Sequence, residues 1–378
     1  DYEIVNGRKI RVRPKETVSE IDKNGYFRRQ PNHFTTPFGD GENDLKAEGN
    51  KRYRLVWAKL CHWSNRAAIV RELEGLEDQI SVNMVEHAPH EKNLGWEYVY
   101  NENNIDPVLG DQFLSEAYYR ADDDYQGRTT VPALIDTTTG KVVNNDYNWL
   151  TTYFEVNFRP WHKKGAPELY PVELREEIDK MNLWLFDNIN NAVYRSSFSR
   201  SNEGHFDGVN TFYAAMDRLE KRLETNRFIF GDYVTDSDIR LYVTLARLDI
   251  RYTTQLGETK RPLYTYKNLW GYAKELWEIP AFAHHTDFAA IIRQGRIEGE
   301  EDGFRASTHY DLALPKIDWD AQWKVSTERA YLSSDPTHPI YLGNNRRFDI
   351  DPTWYDLGAE SPKKEEKETP PSCGCCCG

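Results

Sequence analysis

The 378-residue chain divides by pattern into a mixed α/β unit followed by an all-helical one. Three observations carry that reading. The β-branched and aromatic segment Tyr53-Arg54-Leu55-Val56-Trp57 gives way after Cys61 to a helical period, then to the alternating segment Ile80-Ser81-Val82-Asn83-Met84-Val85. Two short apolar segments, Val131-Pro132-Ala133-Leu134-Ile135 and Lys141-Val142-Val143, flank the turn-forming Asp136-Thr137-Thr138-Thr139-Gly140. From about residue 170 onward, apolar residues recur at helical steps only.

In chain order, residues 1–48 are polar and rich in turn formers around Pro37-Phe38-Gly39-Asp40-Gly41, and are expected to form an extended arm. The strand at 53–57 leads to a helix with an apolar face of Ala67, Ile69, Val70, Leu73 and Leu76, ending near Gly75. With the strand after it, this makes a β-α-β unit over 52–86, with Cys61 at the strand-to-helix turn. A polar insertion spans roughly 87–128; a hairpin and an amphipathic helix near 146–156 follow. That order, β-α-β then β-β-α, is that of a thioredoxin-like domain, here over 49–160. In the expected helical domain, 170–330, Leu174, Ile178, Met181, Leu185, Ile189 and Val193 share a stripe after Pro171. Thr235-Asp236-Ser237-Asp238 forms a capping-box start to a helix with Ile239, Tyr242, Val243 and Ala246 on one face. A C-terminal extension, 331–360, and a charged Cys-rich tail, 361–378, expected to be disordered, complete the chain.

The chain carries 48 basic and 61 acidic residues, a formal charge of −13, which argues against a nucleic-acid partner. No 18-residue apolar run and no opening basic-then-apolar segment occurs, so a soluble cytoplasmic protein without a membrane partner is expected. Only Cys61 of five cysteines lies in the body; Cys373, Cys375, Cys376 and Cys377 crowd the end. One body cysteine cannot build a disulfide framework, which favours a reducing compartment.

Cys61 is the leading candidate for chemistry. At a helix N-terminus a thiol meets unpaired N–H groups and the positive end of the dipole, which favour thiolate. His87 and His90 with Glu86 and Glu91, and His284-His285 with Asp287, are metal-ligand types without HExxH or CxxC spacing, so no metal is expected. Neither a Walker A pattern nor GxGxxG occurs.

The segment Tyr53 to Ala67, centred on Cys61-His62-Trp63-Ser64-Asn65-Arg66, resembles the Cys-Pro-Trp-Ala-His-Arg region of the glutathionyl-hydroquinone reductases, the Xi-class glutathione transferases. Gly75-Leu76-Glu77-Asp78, Gly127-Arg128-Thr129-Thr130-Val131-Pro132, Asn190-Asn191-Ala192-Val193-Tyr194 and Thr235-Asp236-Ser237-Asp238-Ile239-Arg240-Leu241 fit in the same order, from about Gly25 to about Asp287. The resemblance implies a glutathione-transferase fold, a homodimer, glutathione as co-substrate and quinone-type conjugates as substrates. It implies that Cys61 attacks the conjugate's sulfur, and that a second glutathione resolves the mixed disulfide. It assigns Trp96 beside glutathione, Arg128 to a glutathione carboxylate, Val131, before a cis proline, to the cysteinyl backbone, and Tyr194 and Tyr252 to the hydroquinone oxygens. Asp146-Tyr147 stands where the family has a Glu-Ser pair on the γ-glutamyl group. His62 replaces the proline, either as a cation beside the thiol or pointing to solvent. Gln294-Gly295-Arg296 stands where a third tyrosine is expected.

These departures leave another low-molecular-weight thiol open. A conventional transferase using Ser64 to activate glutathione, and a non-enzymatic thiol- or metal-binding protein, are the alternatives. The terminal cysteines would resolve Cys61, chelate a soft metal or have no defined role.

Overall fold

The computed structural model describes residues 1–13, 19–87, 94–252, 256, 261–300, 318–324 and 329–333, with side chains described up to 294 in the helix that ends at Glu300. The tail cysteines, His90, Glu91 and Arg296 lie outside the residues or side chains so described.

Strand β3, Tyr53–Trp57, is buried at every position, as its near-continuous apolar run requires of a central strand. Strands β1 (Tyr2–Val5) and β2 (Arg8–Arg11) precede it. Helix α1 (His62–Leu73) crosses over to β4 (Ile80–Met84), which lies parallel to β3. The short pair β5 (Glu86–His87) and β6 (Trp96–Glu97) follows, then α2 (Leu114–Ala121). Strands β7 (Ala133–Asp136) and β8 (Lys141–Asn144) form the expected hairpin, with β7 antiparallel to β3. The four-stranded order is β4-β3-β7-β8, and α3 (Leu150–Val156) packs on α1.

The helical part contains α4 (Arg175–Leu185), α5 (Ala192–Phe198), α6 (Asn202–Leu223), α7 (Asp236–Arg247), α8 (Lys267–Trp277), α9 (Pro280–His284), α10 (Phe288–Glu300) and α11 (Trp319–Trp323). On α6, Val209, Phe212, Met216, Leu219 and Leu223 form the buried stripe. Gly208 lets it approach α5: a Cβ there would collide with backbone at Ser196 and Ala192.

Several expectations change. The arm opens as an antiparallel hairpin with Asn6 and Gly7, both at positive φ, in its turn. The polar insertion holds β5, β6 and α2, whose short amphipathic run was masked by charged neighbours. The stripe from Leu174 to Val193 is no single helix: a π-helical turn, Phe186–Asn190, separates α4 from α5. Thr235 and Asp238 do form the capping box, with the carboxylate accepting the Thr235 N–H at 2.8 Å. Yet α7 is buried on all sides rather than one, because α1, α4 and α8 pack around it.

Glu74, at the C-terminal end of α1, is fully buried with Oε2 3.2 Å from His162 Nδ1. His162 Nε2 lies 2.7 Å from the Phe154 carbonyl and so must donate to it, leaving Nδ1 as an acceptor. Burial lowers the His162 pKa and raises that of Glu74 from 4.5 to about 9, so both are neutral at pH 7. Because the folded pKa of Glu74 is raised, native protein holds a proton that unfolded chain releases between pH 4.5 and about 9. Its contribution is present in full below the unfolded pKa and declines with rising pH by about 1.4 kcal/mol per unit. Glu74→Gln keeps the donor and removes the ionisation. The variant is expected to be more stable than wild type by about 3 kcal/mol at pH 7, with the gap closing towards pH 4.5 in urea titrations. A constant gap would show that Glu74 does not carry this titration.

Candidate active site

The turn before α1 places Cys61 at the helix N-cap. The residue is 8% exposed, and Sγ lies 3.8 Å from the Val131 carbonyl oxygen. Val131–Pro132 is a cis peptide, as expected. Strand β3 and the entry to β7 therefore hold the thiol and the Val131 backbone on one side of the sheet. Ser64 cannot be spared for thiol activation: its Oγ lies 3.1 Å from Ala58 N, 3.2 Å from Ala58 O and 3.3 Å from Cys61 O.

Two buried guanidiniums lie within electrostatic reach of Cys61. Arg247, at the end of α7, donates to the carbonyls of Leu60 and Lys59, each at 2.7 Å, to Val243 O at 2.9 Å and to Asn65 Oδ1 at 3.2 Å. Arg66, on α1, donates to the Tyr147 carbonyl. Burial lowers the pKa of both while the charge of Cys61 works in the opposite direction, and guanidinium basicity keeps both cationic at neutral pH. From the arm, Arg29 donates to Asn191 Oδ1 at 2.8 Å and lies 4.7 Å from the ring centroids of both Trp63 and Tyr194.

On the helical side, the hydroxyls of Tyr194 and Tyr252 are 3.2 Å apart, and burial raises the pKa of both. His62 packs against both tyrosines, its ring centroid 5.3 Å from that of Tyr194 and 5.5 Å from that of Tyr252. Both expectations for His62 fail. It is 1% exposed, so it does not reach solvent. Burial, reinforced by Arg247, Arg66, Arg29 and Arg251, drives its pKa well below 6.5, so it is no cation. Arginines supply the positive charge expected of it.

The remaining residues form an outer ring. Asp146 accepts from Asn148 N at 3.0 Å and Asn32 Nδ2 at 3.2 Å, and burial raises its pKa. The Tyr147 ring packs 4.6 Å from Trp63 and stacks on Phe186 at 6.0 Å. Both line a cleft of about 760 Å³ with Arg29, Gln30, Asn32 and Asn191. Arg128 is held by Glu20 through hydrogen bonds of 2.7 and 2.8 Å, so an internal carboxylate occupies the guanidinium. Trp96 is buried and stacks on His87 at 3.8 Å. The structure thus brings Cys61 next to Val131 and Tyr194 next to Tyr252, places Asp146 and Tyr147 at a cleft, and pairs Arg128 with Glu20 and Trp96 with His87.

Arg29 and Arg247 are the site residues that sequence reasoning missed. Nothing in a local pattern separates a buried arginine from an exposed one. Among the described residues, no group of three or more metal-ligand side chains occurs and no helix is long and apolar enough to cross a membrane.

A model of the glutathione S-transferase C-terminal domain matches residues 193–275. The chain is 33% identical over 240 residues to glutathionyl-hydroquinone reductase YqjG of Escherichia coli, covering 64% of this chain and 73% of that protein. The glutathione-bound structure of YqjG superposes with a TM-score of 0.64 at 31% identity, over 74% of this chain and 91% of that one. The Xi glutathione S-transferase of Phanerochaete chrysosporium gives 0.66 at 33% identity, over 71% and 87%.

Proposed function

The chain belongs to the glutathionyl-hydroquinone reductases, the Xi class of the glutathione transferase superfamily, and on that footing we propose that it reduces glutathionyl-hydroquinones through a mixed disulfide on Cys61. It is an enzyme of that superfamily with glutathione as co-substrate. The observation that carries the finer reading is the buried Cys61 thiol at a helix head, facing the Val131 carbonyl and within electrostatic reach of the Arg66 and Arg247 guanidiniums.

In the proposed cycle, the Cys61 thiolate attacks the sulfur of the conjugate. The sulfur–sulfur bond forms as the aryl carbon–sulfur bond breaks. The aryl carbon keeps the bonding pair and takes up a proton, and hydroquinone leaves. A glutathione thiolate then attacks the glutathione sulfur on Cys61, releasing glutathione disulfide and the Cys61 thiolate. Two glutathione sulfurs are thereby oxidised as the aryl carbon is reduced. Tyr194 and Tyr252 hydrogen-bond the ring oxygens. Val131 holds the cysteinyl backbone, Asp146 and Tyr147 the γ-glutamyl end, and Trp96 flanks the tripeptide. Arg128 takes a carboxylate once Glu20 yields it. Domain 49–160 holds glutathione, domain 170–330 holds the quinol, and the protein acts as a homodimer in a reducing cytoplasm.

Incubating the wild type with a synthetic glutathionyl-hydroquinone and excess glutathione should release hydroquinone and one glutathione disulfide per turnover. Absence of release, with conjugation of glutathione to 1-chloro-2,4-dinitrobenzene instead, would replace this reading by that of a conventional transferase. The saturated Ser64 hydroxyl argues against that outcome.

A further inference from the structure

His62 Nδ1 is 2.9 Å from the Thr244 hydroxyl, and Asn190 donates to that same oxygen at 2.8 Å. Thr244 accepts from Asn190, and Nδ1 is the acceptor that the described residues offer its own proton, which assigns the imidazole proton to Nε2. Nε2 is buried and has no hydrogen-bond partner among the described residues. A buried donor left unpaired is costly, and a neighbouring helix-borne chain of hydrogen bonds fixes this one in place.

The surroundings show what would complete it. His62 packs against Tyr194 and Tyr252, whose hydroxyls meet at 3.2 Å. In that pair one hydroxyl donates to the other, which leaves one phenolic proton unspent. A phenolic hydroxyl and an imidazole N–H, both neutral, thus share one neighbourhood at the residue that follows Cys61, in a region crowded with guanidinium charge. That combination suits an oxygen that gains electron density as the aryl carbon–sulfur bond breaks.

We propose that His62 is a specificity-determining residue whose Nε2–H hydrogen-bonds a ring oxygen of the quinol beside Tyr194. The assignment rests on the reductase reading for its substrate class. It gives the residue at the proline position a role that proline cannot fill, since proline has no side-chain donor. His62 then selects conjugates bearing a free hydroxyl over those whose oxygen is alkylated.

The test measures binding of S-(2,5-dihydroxyphenyl)glutathione and S-(2,5-dimethoxyphenyl)glutathione by calorimetry in a Cys61→Ser background, with turnover by the Cys61 enzyme followed alongside. His62→Phe should weaken the dihydroxy conjugate about tenfold and leave the dimethoxy conjugate unchanged. His62→Gln, which restores an amide donor, should recover most of the affinity. Thr244→Val, which frees the tautomer without touching the ring, should weaken only the dihydroxy conjugate, by about threefold. Equal losses for both conjugates, or none, overturn the role of His62 whatever the turnover. A selective loss with no turnover by the Cys61 enzyme keeps it and removes the reductase reading; failure of both conjugates to bind removes both.

Discussion

Cys61→Ser is expected to lower hydroquinone release by a factor on the order of 10³ or more, because a hydroxyl cannot replace the thiolate as nucleophile towards sulfur. Among the described residues, the imidazole next to it in the chain offers no ready base to activate a serine. His62 has Nδ1 committed to Thr244, and its low basicity in a nest of arginines leaves it a poor proton acceptor. The substitution is nearly isosteric, and Sγ makes only a long contact with the Val131 carbonyl, so fold and glutathione affinity should survive. Mass spectrometry separates the outcomes: wild type treated with the conjugate alone should gain the mass of one glutathione on Cys61, and the variant should gain none. Turnover persisting in the variant would assign the chemistry elsewhere.

Arg247→Met should cost about 3–5 kcal/mol of stability and most of the activity of what remains folded. The guanidinium reaches from α7 into the turn ahead of Cys61, and its loss strands the buried Leu60 carbonyl and takes the donor from that of half-buried Lys59. It also removes a positive charge from beside the thiol. Arg247→Lys separates the two effects: the ammonium keeps charge but cannot fork to both carbonyls, so stability should recover less than activity. Urea unfolding with parallel steady-state assays measures both. A methionine variant as stable as wild type would mean that the turn holds its shape without this clamp.

Periodicity made the framework readable. Strands β3, β4, β7 and β8 alternate or run apolar between turn formers, and α1 starts where the period changes, so sheet, crossover and thiol position follow from local pattern. The π-helical turn at 186–190 was not readable, since the stripe from Ile178 to Val193 keeps helical spacing across it. Helix α6 carries the helical signal, with Val209, Phe212, Met216, Leu219 and Leu223 stepping by three and four.

The site divides in the same way. Cys61, the cis Val131–Pro132 bond, and the tyrosines at 194 and 252 were all named from residues and resemblance. The state of each group was not. Whether His62 is cation or neutral, whether Arg128 is free or held by Glu20, and whether Arg247 is solvated or clamped depend on segments far away in the chain, with Arg128 and Glu20 108 residues apart and Arg247 and Leu60 187. Local sequence carries the period of an element and the chemical type of a side chain, because both arise within a few residues. Burial and charge partners arise only when distant segments meet, and they decide which groups stay neutral, which carbonyls find donors and which nitrogen is left over to meet a substrate.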